Sequence, residues 1–136
     1  MGLAERRAVQ NFKDNSFPVL KKQIDATCGF DIPFEIAWDK LTVDGFDHVY
    51  EQGFTEVYFR PILSAFQSIC ADDMGKDALK GVLKQVAITN TSENSSPSTG
   101  YSFTDGVLKI DLSPVRNIDY TKDRTEKLQA LLESKL

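Results

Sequence analysis

The spacing of the hydrophobic residues changes near residue 86, and this change constrains the fold more than any other feature of the sequence. Before it, apolar residues recur at helical spacing, with the widest apolar face between Phe54 and Cys70. From Val86 to Leu112, apolar and polar residues alternate as they do in half-buried strands. Because helical and strand segments are grouped along the chain rather than interleaved, we expect an α+β fold with an antiparallel sheet.

The strongest local signal in the second part is the pair Asp105 and Gly106, which lies between two alternating segments. Both residues of a two-residue hairpin turn need positive φ, which Asp and Gly tolerate. We therefore predict a three-stranded meander over 86–112, in which the Ser- and Asn-rich stretch 92–100 is a mobile hairpin loop. A further short strand at 34–38, with acidic side chains, is expected at one edge. The predicted sheet has about four antiparallel strands and is covered by helices.

Helices are predicted on both sides of these strands. Residues 3–28 have helical spacing, but Pro18 lacks an N–H, so this segment forms either two helices or one kinked helix. Gly29 is suited to end it. Asp44 is expected to cap the next helix with its side chain. A last helix is expected over 120–134.

Length and composition indicate a single soluble domain spanning residues 1–136. The chain has 136 residues, of which 41% are hydrophobic and 26% charged. No apolar stretch approaches the roughly 20 residues that cross a bilayer, and the N-terminal residues do not resemble a secretory signal. We therefore expect a cytoplasmic protein without a membrane partner. The formal charge of −4 also argues against binding to nucleic acid.

Few side chains are suited to catalysis or metal binding. Cys28 and Cys70 lie among apolar neighbours, where a thiol behaves as a small hydrophobic group. The single histidine, His48, has Asp44 and Glu51 at helical spacing, but the two-histidine pattern of a metal-binding helix is missing. The sequence therefore predicts no catalytic residue, no metal site and no cofactor.

The acidic residues are concentrated between positions 31 and 59, where seven acids stand against one base. Such a segment attracts a basic partner through its electric field, although it is also typical of a solvated rim. The favoured interpretation is a non-catalytic protein-binding domain, adaptor or inhibitor-like, with an acidic surface and a basic protein partner. The expected partner-binding residues are Glu35, Asp39, Asp47, Glu51 and Glu56.

Two alternatives remain open at the level of sequence. The first is a small ligand-binding protein or enzyme, with a cleft lined by Trp38, His48, Tyr58 and Arg60. Aromatic residues at helical spacing are more often found at the periphery of a core, which weakens this alternative. The second is a homodimer formed through an exposed edge strand or through the final Leu-rich helix.

Overall fold

The computed structural model describes residues 2–136 and shows an α+β domain with a four-stranded sheet. The strands are β1 (Phe34–Ile36), β2 (Gln85–Thr89), β3 (Tyr101–Thr104) and β4 (Val107–Asp111). The helices are α1 (Leu3–Asn11), α2 (Phe17–Cys28), α3 (Tyr50–Phe54), α4 (Arg60–Ile69), α5 (Asp73–Val82), α6 (Pro97–Gly100) and α7 (Thr121–Glu133). Within the described residues, no helix is both long and apolar enough to cross a membrane.

The sheet is mixed and mostly parallel, so the prediction of an antiparallel sheet is wrong. The strand order is β1-β2-β4-β3, with β1 parallel to β2 and β2 parallel to β4. Only β3 and β4 are antiparallel. The meander predicted over 86–112 does not form, because β4 inserts between β2 and β3.

The segment between β2 and β3 explains this order. It crosses the carboxyl end of β4 instead of turning back as a hairpin loop. The Leu112 N–H donates to the Thr89 carbonyl at 3.2 Å, and the Ser113 N–H donates to the Asn94 carbonyl at 2.7 Å. The stretch 92–100 that was predicted as a mobile hairpin loop therefore connects two strands that are not neighbours, and it contains α6.

Burial of side chains is consistent with the central position of β2 and β4. Their inward side chains, Val86, Ile88, Leu108 and Ile110, are at most 1% exposed. On the opposite face of the sheet, the side chains remain in contact with solvent. Exposed residues on that face are Glu35, Ser102, Thr104 and Lys109. One face of the sheet is therefore packed into the core and the other is open.

Two local predictions are confirmed. Asp105 and Gly106 have φ of 54° and 81°, and they join antiparallel β3 and β4 as a tight hairpin. The strand predicted near residue 34 lies at an edge of the sheet. Asp44, in contrast, caps no helix: a 3-10 turn at Asp47–Val49 precedes α3, and neither element has a side-chain cap.

Both long helical segments continue across an internal proline. A π-helical turn at Phe12–Ser16 precedes Pro18, and another at Thr55–Phe59 precedes Pro61. Each turn is closed by an N–H that donates to the carbonyl five residues earlier. Because proline has no N–H and crowds the preceding turn, the wider turn lets the helix continue without a break. The segment 3–28 is thus one irregular helical segment rather than two separate helices.

Aromatic side chains fill the core where the two π-helical turns meet. The Phe12 ring lies 5.1 Å from Phe54 and 5.7 Å from Phe59, measured between centroids. Phe17 lies 5.5 Å from both Phe59 and Trp38. These edge, tilted and stacked contacts are within the favourable range for aromatic pairs. They fix the first helical segment against the second and against the residues after β1.

Candidate functional site at the carboxyl ends of the parallel strands

A cavity of about 610 Å³ opens beside the carboxyl ends of the three parallel strands. This carboxyl-edge pocket is lined by Thr42, Val43, Asp44, Phe46, Glu93, Val115 and Arg116. The first four follow β1, Glu93 follows β2, and the last two follow β4. In open sheets with parallel strands, ligands bind in the crevice outside the carboxyl ends. The topology therefore makes this pocket the candidate site.

Glu93, in the wall that follows β2, has a fixed and unusual conformation. Its φ of 54° lies in the left-handed region, which is uncommon for a residue with a long side chain. The Glu93 N–H donates to Asn90 Oδ1 at 3.1 Å, and Asn90 Nδ2 donates back to Glu93 Oε1. Ser113 Oγ donates to Glu93 Oε2 at 2.9 Å. Because Asn90 and Ser113 are buried, the carboxylate of Glu93 is held in one orientation.

Tyr50 anchors the wall that follows β1. Its buried hydroxyl accepts a hydrogen bond from the Val43 N–H at 2.8 Å and donates to the Val43 carbonyl at 3.0 Å. Burial is the main cause that raises the pKa of Tyr50, and the charges of Glu5, Asp47 and Asp44 raise it further. These three acids therefore produce a negative potential near this wall.

Arg124 anchors the wall of the pocket that follows β4. Its side chain is 1% exposed and donates to the carbonyls of Asn117 at 2.7 Å and Arg116 at 2.9 Å. Burial lowers the pKa of Arg124, because the charged guanidinium is removed from water. Tyr58 fixes the start of the same segment, because its hydroxyl donates to the Leu112 carbonyl at 2.6 Å. Buried polar side chains thus hold every wall of the pocket.

The lining of the pocket combines charges of both signs with one aromatic ring. Asp44 and Glu93 supply carboxylates, and the exposed Arg116 takes part in no ion pair among residues 2–136. Phe46 is 42% exposed, and its ring stacks on His48 at a centroid distance of 6.4 Å. Carboxylates beside an aromatic face are suited to a cationic group.

The acids predicted to bind a partner are spread over several elements. Glu35 lies on the open face of the sheet. Glu51 accepts a hydrogen bond from Ser16 at 2.6 Å, and Glu56 accepts one from Thr121 at 2.9 Å. These contacts lie in different parts of the fold, so the five predicted acids do not form one cluster of side chains.

The remaining two acids have different positions relative to the pocket. Asp39 is an exposed residue of the 3-10 turn Trp38–Lys40, which follows β1. Asp47 is one of the acids whose charge acts on Tyr50, together with the pocket residue Asp44. Of the acids predicted to bind a partner, Asp47 is therefore the one that the structure relates to the carboxyl-edge pocket.

The residues of the alternative cleft are not brought together around a cavity. Trp38 packs in the aromatic core, and Tyr58 is fully buried. Arg60 is exposed and lies 3.8 Å from a carboxylate oxygen of Glu56. His48 is exposed and approaches the pocket only through its stacking on Phe46.

The helical spacing of Asp44, His48 and Glu51 does not produce a metal site. Asp44 precedes the 3-10 turn, so the three residues do not share one continuous helix. Within residues 2–136, no group of three or more His, Cys, Asp or Glu side chains is placed to hold a metal ion.

Sequence reasoning missed most of the pocket, including Phe46, Glu93 and Arg116. Arg124 left a usable signal, because it precedes the buried Leu128 and Leu132 by four and eight residues and so shares their inward face. An arginine on a buried helix face needs hydrogen-bond acceptors, so its presence indicates that polar groups pack against that face. Glu93 and Arg116 left no comparable signal, since their proximity depends on the parallel pairing.

No protein-family model matches this sequence, and neither a curated protein nor a solved structure gives a match. The function is therefore inferred from the geometry of the site.

Proposed function

We propose that the protein is a non-catalytic binding domain that receives a positively charged side chain, Lys or Arg, of a basic protein partner in the carboxyl-edge pocket. One observation carries this proposal: the segments that follow the three parallel strands line the same cavity, and two of their side chains are carboxylates. A site at this position needs no further rearrangement, because its walls are already anchored by buried hydrogen bonds.

The charges of the pocket and its aromatic ring both support a cationic group as the ligand. Asp44 and Glu93 line the cavity, while Glu5 and Asp47 add negative potential beside it. The exposed ring of Phe46 offers an aromatic face for a cation–π contact. Arg116 at the same pocket is available for a carbonyl or carboxylate of the partner, which would fix the direction of the bound segment.

The hydrogen bonds of Glu93 fit a role in binding. Each oxygen of its carboxylate accepts one hydrogen bond, from Asn90 and from Ser113. Each oxygen keeps a further lone pair, so the oriented carboxylate can still accept a hydrogen bond from a cationic group. Glu93 is a fixed, negatively charged part of the wall in this proposal, which assigns no catalytic residue and no cofactor.

The proposal places this binding in the cytoplasm, without nucleic acid or membrane as a partner. Two cysteines and no disulfide framework are typical of proteins in a reducing compartment. A homodimer through the final helix is disfavoured, because Leu128 and Leu132 are fully buried within one chain. The two edge strands of the sheet, β1 and β3, offer surfaces for self-association. Fractionation of cells and the molar mass in solution test these two points.

The test uses a short peptide as a probe of the pocket. Acetyl-Gly-Arg-Gly-amide is titrated into ¹⁵N-labelled protein, and a matched peptide with Glu in place of Arg serves as the reference. We expect the Arg peptide to shift the amide signals of Val43, Asp44, Phe46 and Glu93. Raising the ionic strength to about 1 M, where the screening length is roughly 3 Å, is expected to weaken this binding.

A matched pair of variants separates the pocket from the overall charge. Asp44→Asn is expected to weaken binding of the Arg peptide by about three- to tenfold, since it removes one charge at the site. Asp77→Asn makes the same change on an exposed position of α5 and is expected to leave the affinity unchanged. Equal effects of the two variants, or stronger binding of the Glu peptide, would overturn the proposal.

A small cationic ligand is the second candidate, and the volume of the pocket favours it. About 610 Å³ lies within the roughly 300–1,000 Å³ of typical small-molecule sites. The same titration with free agmatine, which carries a guanidinium without a peptide backbone, distinguishes the two. Tighter binding of agmatine than of the Arg peptide would favour the small ligand.

A further inference from the structure

Cys28 and Cys70 lie side by side in the core although they are 42 positions apart in the sequence. Cys28 is the last residue of α2, and Cys70 directly follows α4. Their sulfur atoms are 3.4 Å apart, within the distance of a hydrogen bond between two thiols. Both side chains are buried, at 3% and 5% exposure. The fold therefore brings two thiols from different helices into direct contact.

The distance between the sulfur atoms is short enough for a bond to form with small local movements. A disulfide requires about 2.05 Å between sulfurs, so each atom has to move by less than about 1 Å. The α4–α5 turn beside Cys70 is exposed from Ala71 to Met74 and is held by the Asp72 carboxylate, which accepts from the Gly75 N–H. Cys70 therefore directly precedes a turn that is exposed to solvent.

We propose that Cys28 and Cys70 form a reversible dithiol–disulfide pair, which peroxide oxidises to a crosslink between the end of α2 and the α4–α5 turn. The Cys70 thiolate attacks hydrogen peroxide, the O–O bond breaks, and a sulfenic acid and hydroxide result. The hydroxide takes up the proton released by the thiol and leaves as water. The Cys28 sulfur then attacks the sulfenic sulfur, the S–O bond breaks, and a second water leaves. Two electrons pass from the thiols to the peroxide.

The environment of the two thiols indicates which one reacts first. Burial is the main cause that raises the pKa of both cysteines, so the pair reacts slowly at rest. The positive charge of Lys76 lowers the pKa of each, whereas the negative charge of Asp25 raises that of Cys28. Cys70 also lies beside the exposed turn. It is therefore the attacking thiol, and Cys28 resolves the sulfenic acid.

The position of the pair predicts an effect on stability rather than on ligand binding. Cys28 ends α2, which leads by a short connection into the start of β1, and Cys70 is in contact with Cys28. Cys28 and Cys70 thus lie towards the amino edge of the parallel strands, whereas the carboxyl-edge pocket lies at the other edge. Crosslinking is expected to stabilise the fold and to leave the pocket open.

The test treats the folded protein with hydrogen peroxide and then follows peptide masses and melting temperature, because the exposed Met74 also takes up oxygen and changes the mass of the whole chain. We expect both free thiols to disappear together, with a loss of about two hydrogen masses from the linked peptides that contain Cys28 and Cys70. The melting temperature of the oxidised monomer is expected to rise by about 5–15 °C, because the crosslink closes a long loop of the unfolded chain. Dithiothreitol is expected to reverse both changes.

Variants with single cysteines provide the control. Cys28→Ser and Cys70→Ser each keep one thiol, so peroxide is expected to add oxygen to the remaining cysteine and to give no rise in melting temperature. Should either variant fail to fold, Cys28→Ala and Cys70→Ala replace it. Two thiols that stay free in wild-type protein, that gain oxygen independently, or that link separate chains would each overturn the proposal. None of these results bears on the peptide titration.

Discussion

Gly53 provides a sharp test of the packing behind the carboxyl-edge pocket, because helix propensity and tertiary packing predict opposite results for it. It lies in α3, where its backbone faces Pro114 in the segment after β4. A Cβ atom at position 53 would lie 2.2 Å from the Pro114 carbonyl oxygen and 3.3 Å from its carbon. That oxygen belongs to the backbone, so it cannot rotate away. The substitution Gly53→Ala therefore has to separate α3 from this segment.

The expected magnitude follows from two opposing contributions. Replacing glycine by alanine inside a helix stabilises it by about 1 kcal/mol. Forcing an extra carbon into a packed interface costs about 1–3 kcal/mol, and a clash with backbone belongs at the upper end. The net result for Gly53→Ala is a loss of about 1–2 kcal/mol in the free energy of unfolding. A fall in melting temperature of about 3–8 °C corresponds to this loss.

Gly81→Ala is the matched control. Gly81 lies in the last turn of α5, and a Cβ there would meet no atom within 4 Å. The same substitution is therefore expected to stabilise the protein, by up to about 1 kcal/mol. Urea titration of wild type and both variants, followed by circular dichroism, measures the differences in unfolding free energy. Equal stabilisation by the two substitutions would show that α3 does not pack against Pro114 in this way.

Three further substitutions test the anchors of the site and one surface ion pair. Tyr50→Phe removes both hydrogen bonds to Val43 and is expected to lower the free energy of unfolding, measured by urea titration, by about 1–3 kcal/mol. Arg124→Met removes two hydrogen bonds, which destabilises the fold, and it also removes a buried charge, which partly offsets that loss. The free energy of unfolding, measured by calorimetry, is expected to fall by about 1–3 kcal/mol. Lys21→Gln is expected to raise the pKa of Asp31 in an NMR titration, because the Lys21 ammonium, 2.6 Å away, lowers it. The stabilisation from Asp31 is present above the ordinary carboxyl pKa and is lost as the pH falls through the lowered value.

The local elements were predictable because their causes lie within a few residues of sequence. Asp105 and Gly106 accept the positive φ that a tight hairpin requires, and the structure has this turn. Gly29 ends α2 with φ of 80° for the same reason. Pro18 predicted an irregular helix, but it did not predict that a π-helical turn would let the helix continue past the proline.

The pairing of the strands was not predictable in the same way. Strand pairing depends on contacts between distant segments, and a short connection between two strands is compatible with both neighbouring and crossing arrangements. The bonds from the end of β4 to Thr89 and Asn94 exist only once that strand has inserted beside β2. The prediction of an antiparallel meander failed at this step. The pocket was missed with it, because its walls are the segments that follow parallel strands.

The amino-acid sequence by itself determined where most helices and strands form and where the hairpin between β3 and β4 turns, since these depend on backbone conformation and on short-range hydrogen bonds. Only the tertiary structure decided that Glu93 and Arg116 line one cavity and that Cys28 meets Cys70. The physical reason is that side chains far apart in sequence come together through the burial of apolar surface, and that burial is a property of the whole chain.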